Sequence, residues 1–146
     1  MDRSSNLGTW YNRIVLLLVA VLFASIAVKN LMHPFEAAKQ ANIILSSATA
    51  LSVARVSMGA LPLSFAIFIL VSLFSEKQLS RAVLFVFILA VITTMVRVAS
   101  LQIDGHSDFG QKVLVPEIAI TMLSALGLYL GRRRMPKQKN NLMSQA

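Results

Sequence analysis

The sequence predicts an all-α integral membrane protein built as a four-helix bundle. Of its 146 residues, 56% are hydrophobic and 14% are charged, whereas soluble domains contain about 25% charged residues. Four apolar stretches are separated by short polar connections, and none of them alternates apolar and polar residues as a β-barrel strand would. These observations argue against a soluble enzyme, a disordered tail and a coiled coil.

The first predicted span covers residues 10–32, because its segment 14–28 carries no charge and Trp10 and Tyr11 precede it. A span needs about 20 residues, and aromatic side chains favour the membrane interface. The small residues of Ser25-Ile26-Ala27 leave an alternative open, in which this segment is a cleavable signal sequence. Cleavage would leave three spans.

A short interfacial helix or re-entrant turn is expected between spans 1 and 2, within residues 33–51. Pro34 marks its start, and the segment is mildly amphipathic. One uninterrupted helix over residues 41–75 would be about 52 Å long, far more than about 30 Å of hydrocarbon. We therefore expect a bend near residues 46–49.

The other spans are predicted at residues 51–75, 82–103 and 113–131, where apolar residues dominate. Pro62 should kink the second of the four helices, because proline removes a backbone donor and clashes with the preceding turn. The three spans complete a single transmembrane domain over residues 1–131.

Charge sets the expected orientation, because arginine and lysine accumulate in cytoplasmic loops. The turn after span 2 carries Lys77 and Arg81, and residues 132–146 form a basic tail. The connection between spans 3 and 4 is acidic instead. We therefore expect both termini inside and the acidic connection outside. No aromatic residues interleave with the basic tail, so lipid contact is favoured over nucleic-acid binding.

Three ionisable residues inside the spans are the candidate site residues: Arg55, Arg97 and Glu117. Helix geometry places all three in the outer third of the bilayer, where Asp104 can join them. One central arginine or lysine costs about 2.5–3.5 kcal/mol to insert, so pairing is expected. The cluster should either organise the bundle or bind an anionic lipid, a small ligand or a partner.

A supporting polar face is predicted beside this cluster, from hydroxyl residues at helical spacing. Small residues let helices approach closely and hydroxyls bridge between them. The residues are Thr93, Thr121 and Ser124.

Signatures of catalysis, cofactors and metals are missing from the sequence. It has no cysteine and two histidines, and no hydrolase, zinc-protease or phosphate-loop motif occurs. We expect a protein that is not an enzyme and uses no cofactor or metal. Its expected partners are the lipid bilayer, an anionic lipid or small ligand, and a second copy or another membrane protein.

Two alternatives remain open. The hydroxyls of the polar face would suit a small oligomeric transporter or channel subunit. A lipid-modifying enzyme could use Glu117 or Asp104 as a general base, assisted by His106.

The charged positions also carry a family resemblance. The pattern comprises Ala54-Arg55 with Gly59, Arg97 and Ser100 leading to Asp104-Gly105, and Glu117 at the head of the last span. It resembles the bacterial domain-of-unknown-function 4345 family, over roughly residues 10–131. The resemblance implies a small four-span protein of a bacterial inner membrane, and it brings no established reaction.

Overall fold

The computed structural model describes residues 3–103, 105 and 108–132, and these are helical apart from short connections. The helices are α1 (Arg3–Met32), α2 (Pro34–Gln40), α3 (Ala48–Ala54), a π-helical segment (Arg55–Ala60), α4 (Leu61–Ser72), α5 (Glu76–Ile103) and α6 (Asp108–Arg132). The described residues contain no strand, so the all-α prediction is confirmed.

Among the described residues, four helical segments are long and apolar enough to cross a membrane: Leu7–Met32, Ala48–Ser72, Glu76–Ile103 and Asp108–Gly131. In their most apolar stretches, between 11% and 28% of the residues are buried within the protein. The remaining apolar surface faces outward, and lipid tails would cover it in a membrane. Apolar side chains gain little from burial inside the protein there, because lipid tails are as apolar as the side chains. The prediction of four helices long and apolar enough to span a membrane is confirmed.

The short helix α2 lies between the first two spans, as predicted. It starts at Pro34, whose missing N–H costs nothing at the first helical position. Lys29 Nζ at the end of α1 donates a hydrogen bond to Gln40 Oε1, which ties α2 back to α1. The chain then turns at Asn42, where φ is 57°. Helix α3 begins after Ser47, whose hydroxyl accepts from the backbone N–H of Ala50 at 3.1 Å.

The helix of span 2 widens into a π-helical turn just before Pro62. In the π-helical segment the N–H of Leu61 donates to the carbonyl of Val56, five residues back. This wider turn makes room for the proline ring, which would clash with the carbonyl four residues earlier. Gly59 is buried in the segment and lies against Leu31 of α1.

Helices α5 and α6 begin earlier than the predicted spans at residues 82 and 113. The polar residues that suggested a loop belong to the first helical turns instead. Glu76 and Asp108 are the acidic residues there, and a carboxylate is stabilised at the positive end of a helix dipole. The connection between α4 and α5 therefore shrinks to residues 73–75.

The helices pack in the order α4, α1, α6, α5. Helix α1 packs extensively on α4 and the π-helical segment, and α5 packs most extensively on α6. The main core cluster lies near the connection between α4 and α5; its largest fully buried members are Leu16, Ile69, Val83 and Val86. Edge-to-face contacts of Phe65 with Phe23 and Phe85 link three helices beside it.

We name the two ends of the bundle by their connections. The α4–α5 end is the end at residues 73–75, and the α5–α6 end is the end at residues 104–107.

Gly59→Ala should destabilise the fold by about 1–3 kcal/mol, because overpacking forces a neighbour to shift. A Cβ at Gly59 would lie 2.7 Å from Leu31 Cδ2 and 2.8 Å from Leu31 Cγ. Thermal unfolding in detergent measures the loss. Gly8→Ala is the matched control, because its Cβ would meet Leu130 at an ordinary 3.7 Å. Equal unfolding temperatures for the two variants would contradict this packing.

Candidate functional site

A bidentate ion pair joins α5 to α6. Arg97 Nε donates to Glu117 Oε2 and Arg97 Nη2 donates to Glu117 Oε1, both at 2.8 Å. The side chains are 29% and 16% exposed, respectively. A guanidinium and a carboxylate in this parallel arrangement form one of the stronger polar contacts available to proteins.

Because α5 and α6 form a helical hairpin, Arg97 and Glu117 lie at a similar height along the bundle. Arg97 lies six residues before the end of α5, and Glu117 lies nine residues after the start of α6. Glu117 follows Pro116, which the early start of α6 places inside the helix rather than in its first turn. Proline there removes the N–H that would bond the carbonyl of Lys112.

Arg97 retains donors after this pairing. Arginine has five N–H donors, and Glu117 takes two of them. Within the described residues the others have no partner, and the side chain is partly exposed. The pair is formally neutral, yet one side of it still presents hydrogen-bond donors.

A groove of about 440 Å³ opens beside Arg97 at the α5–α6 end. Its polar lining includes Arg97, Ser100 and Thr93, and its apolar lining includes Val96 and Phe109. Ser100 lies towards the end of α5, whereas Ile92 lies deeper along the same helix. The groove is therefore amphiphilic.

Arg55 does not join this pair, although the sequence predicted a cluster of three. Its side chain is exposed, and in the described part of the chain it forms no hydrogen bond or salt bridge with Glu117. Packing order gives the reason. The π-helical segment that starts at Arg55 packs on α1, whereas Arg97 and Glu117 lie on α5 and α6. Asp104 and His106 lie outside the described residues.

The predicted polar face lies on α5 and α6, with each hydroxyl bonded to its own helix. Thr121 Oγ1 donates to the carbonyl of Glu117 at 2.8 Å. Ser124 is fully buried and donates to the carbonyl of Ile120 at 2.7 Å. Thr93 donates to the carbonyls of Leu89 and Ala90. These hydroxyls bond backbone carbonyls rather than bridging between helices.

Two residues of the site escape a sequence analysis based on charge. Phe109 and Gly110 line the groove from the first turn of α6, a region that the sequence predicts as loop. The acidic residue Asp108 is the sequence feature that indicates the start of α6, because carboxylates favour the first turn of a helix.

Replacing one member of the pair should destabilise the bundle, because the other charge loses its neutralising partner. We expect Arg97→Gln and Glu117→Gln each to cost about 1–3 kcal/mol. The double variant should cost less than the sum of the two, with a coupling of about 0.5–3 kcal/mol. Unfolding by denaturant in detergent measures all three values.

Arg55→Gln is the charge-matched control, since it removes an exposed arginine. Its effect should stay within about 0.5 kcal/mol. Strict additivity of Arg97→Gln and Glu117→Gln would mean that the two side chains do not interact.

One comparison with known proteins gives a match. The family model described as "Domain of unknown function (DUF4345)" matches residues 11–128. No curated protein and no solved structure matches the chain. The matched region includes the second and third candidate spans in full, most of the first and the last, and both residues of the ion pair. The chain therefore belongs to the DUF4345 family.

Proposed function

We propose that this small membrane protein binds a lipid with an anionic headgroup in the groove at the α5–α6 end, and that it is not an enzyme. One observation carries the proposal: Arg97 is held by Glu117 and also lines the groove. Glu117 fixes the direction of the guanidinium, so its remaining donors are oriented before a ligand arrives. Such preorganisation reduces the entropic cost of binding.

The lining of the groove supports an amphiphile over a small polar ion. Arg97 and Ser100 offer donors near the end of α5, where a headgroup would lie. Val96 lies beside Arg97, and Ile92 offers apolar surface five residues, or about 7.5 Å, deeper than Arg97, where an acyl chain would lie. A small anion would use the first part of the groove and leave the second part empty.

The proposed location is a bacterial inner membrane, with both termini in the cytoplasm and the α5–α6 end in the periplasm. The support is the distribution of charge: Lys77 and Arg81 lie at the α4–α5 end, and the last fifteen residues of the sequence are also basic. The groove would then open towards the outer leaflet of that membrane. Either a lipid or a partner protein carrying lipid could reach it from there.

The two rival functions lack an observation of this kind. A transporter or channel would use the hydroxyls of Thr93, Thr121 and Ser124 to line a path, but each of them donates to its own helix. A lipid-modifying enzyme with Glu117 as its base would need a free carboxylate there, but both oxygens of Glu117 accept from Arg97. The other candidate base, Asp104, lies outside the described residues.

The test is a charge swap that keeps the pair but moves the guanidinium from α5 to α6. Arg97→Glu combined with Glu117→Arg should restore the unfolding temperature lost by either single change. Affinity for phosphatidylglycerol, measured by native mass spectrometry in detergent, should still fall about tenfold or more, because the donors no longer face the groove.

Arg55→Gln serves again as the matched control and should leave the affinity within about twofold. If the swapped protein regains stability and phosphatidylglycerol binding together, the pair only holds the helices and the proposed function is wrong. Equal loss of affinity in the Arg55 control would also count against the groove.

A further inference from the structure

A second, smaller groove lies at the opposite end of the bundle. It has a volume of about 240 Å³ at the α4–α5 end, between the start of α5 and the end of α6. Asn12 of α1, Arg81 of α5 and Gly131 of α6 line it. It shares no lining residue with the groove beside Arg97.

Asn12 is the first sign that this groove takes a ligand. The residue is 8% exposed, and its Oδ1 is buried without a hydrogen-bond partner. The amide packs against Gly127, where a Cβ would collide with Oδ1. Oδ1 is an acceptor held against Gly127, so an anionic ligand, which offers acceptors, does not satisfy it. The donor Nδ2 is the atom of this amide that an acceptor oxygen of a ligand can bond.

The other edge of the amide lies beside Gly131, which also lines the groove. A Cβ at Gly131 would lie 4.0 Å from Asn12 Nδ2, so glycine leaves space beside this nitrogen. Within the described residues, Asn12 makes no side-chain hydrogen bond. The amide can therefore offer a hydrogen bond to a molecule in the groove.

Arg81 is the second sign. It lines the same groove with an exposed side chain, and it takes part in no salt bridge within the described range. Ser80 adds a hydroxyl to the lining. Donors from two different helices thus converge on one space. The ligand that suits them is an anionic group with several acceptor oxygens, such as a phosphate.

Apolar residues continue the groove and decide between a free phosphate and a lipid. Leu84 and Leu128 line the part that lies farther from the end of the bundle. Arg81 is five residues, or about 7.5 Å, from the start of α5. This is the depth at which a long basic side chain reaches the headgroups while its stem crosses apolar surface. An acyl chain would cover the two leucines, whereas a free phosphate would leave them bare.

We propose that this groove binds the phosphate of a phospholipid headgroup between Arg81 and the amide of Asn12, with an acyl chain against Leu84 and Leu128. The site is independent of the one beside Arg97. It lies at the other end of the same helix pair and would serve the opposite leaflet.

The test measures phosphatidylglycerol binding to the full chain in detergent by native mass spectrometry. Arg81→Gln should weaken one binding step about tenfold or more, because a charged hydrogen bond is lost. Lys77→Gln is the matched control: it removes an exposed cation from the same end of α5, and Lys77 does not line the groove. It should change the affinity less than about twofold.

Asn12→Leu provides a second variant, with circular dichroism to verify that the helices remain. It should weaken the same binding step, and its effect should add to that of Arg97→Gln, since distant sites act independently. An unchanged affinity in Arg81→Gln, or an equal loss in Lys77→Gln, would overturn the proposal.

Two further ligands test separately whether binding requires the phosphate and whether it requires the acyl chains. Diacylglycerol lacks the phosphate and should bind at least about tenfold more weakly than phosphatidylglycerol. Inorganic phosphate lacks the acyl chains and should not displace phosphatidylglycerol at equal concentration. Displacement by inorganic phosphate, or equal binding of diacylglycerol, would contradict a phospholipid site.

Discussion

The ion pair between Arg97 and Glu117 is the constraint on which the α5–α6 end depends. Within the hydrocarbon of a bilayer an ionised side chain is costly unless it pairs inside the protein, because hydrocarbon supplies no partner. The main apolar core, with Leu16 and Val83, lies towards the α4–α5 end and is distant from this region in the fold. The pair supplies at one end of the helix hairpin the cohesion that core packing supplies at the other.

The groove beside Arg97 is a consequence of the same arrangement. Glu117 accepts from Nε and Nη2 of Arg97, and Arg97 also lines the groove. The charge of the arginine is thereby balanced before any ligand arrives, so an anionic headgroup would meet oriented donors rather than a bare cation. This geometry allows one residue to stabilise the hairpin and to present a binding surface.

The sequence predicts this protein well where helix length and charge depth decide the outcome. Long apolar runs define the spans, and a short connection between α5 and α6 fixes Arg97 and Glu117 at similar depths. The order in which the helices pack is not predicted in this way. The spans are apolar on nearly every face, so periodicity does not indicate that Arg55 packs with α1 rather than with the pair. The burial of Asn12 against Gly127 also depends on which helices meet.

The two arginines of α5 illustrate how depth governs the partner that a charge needs. Arg81 and Arg97 are sixteen residues apart, or about 24 Å along an α-helix, which is close to the thickness of the hydrocarbon. Arg97 is partly enclosed by α6 and pairs with a carboxylate, whereas Arg81 is exposed near the helix start, where we propose that a phospholipid phosphate binds. If α5 crosses the bilayer, each arginine lies beside a groove at the level of a different leaflet. The spacing of the two charges would then hold the helix at a fixed depth, because sliding α5 in either direction would draw one guanidinium into hydrocarbon.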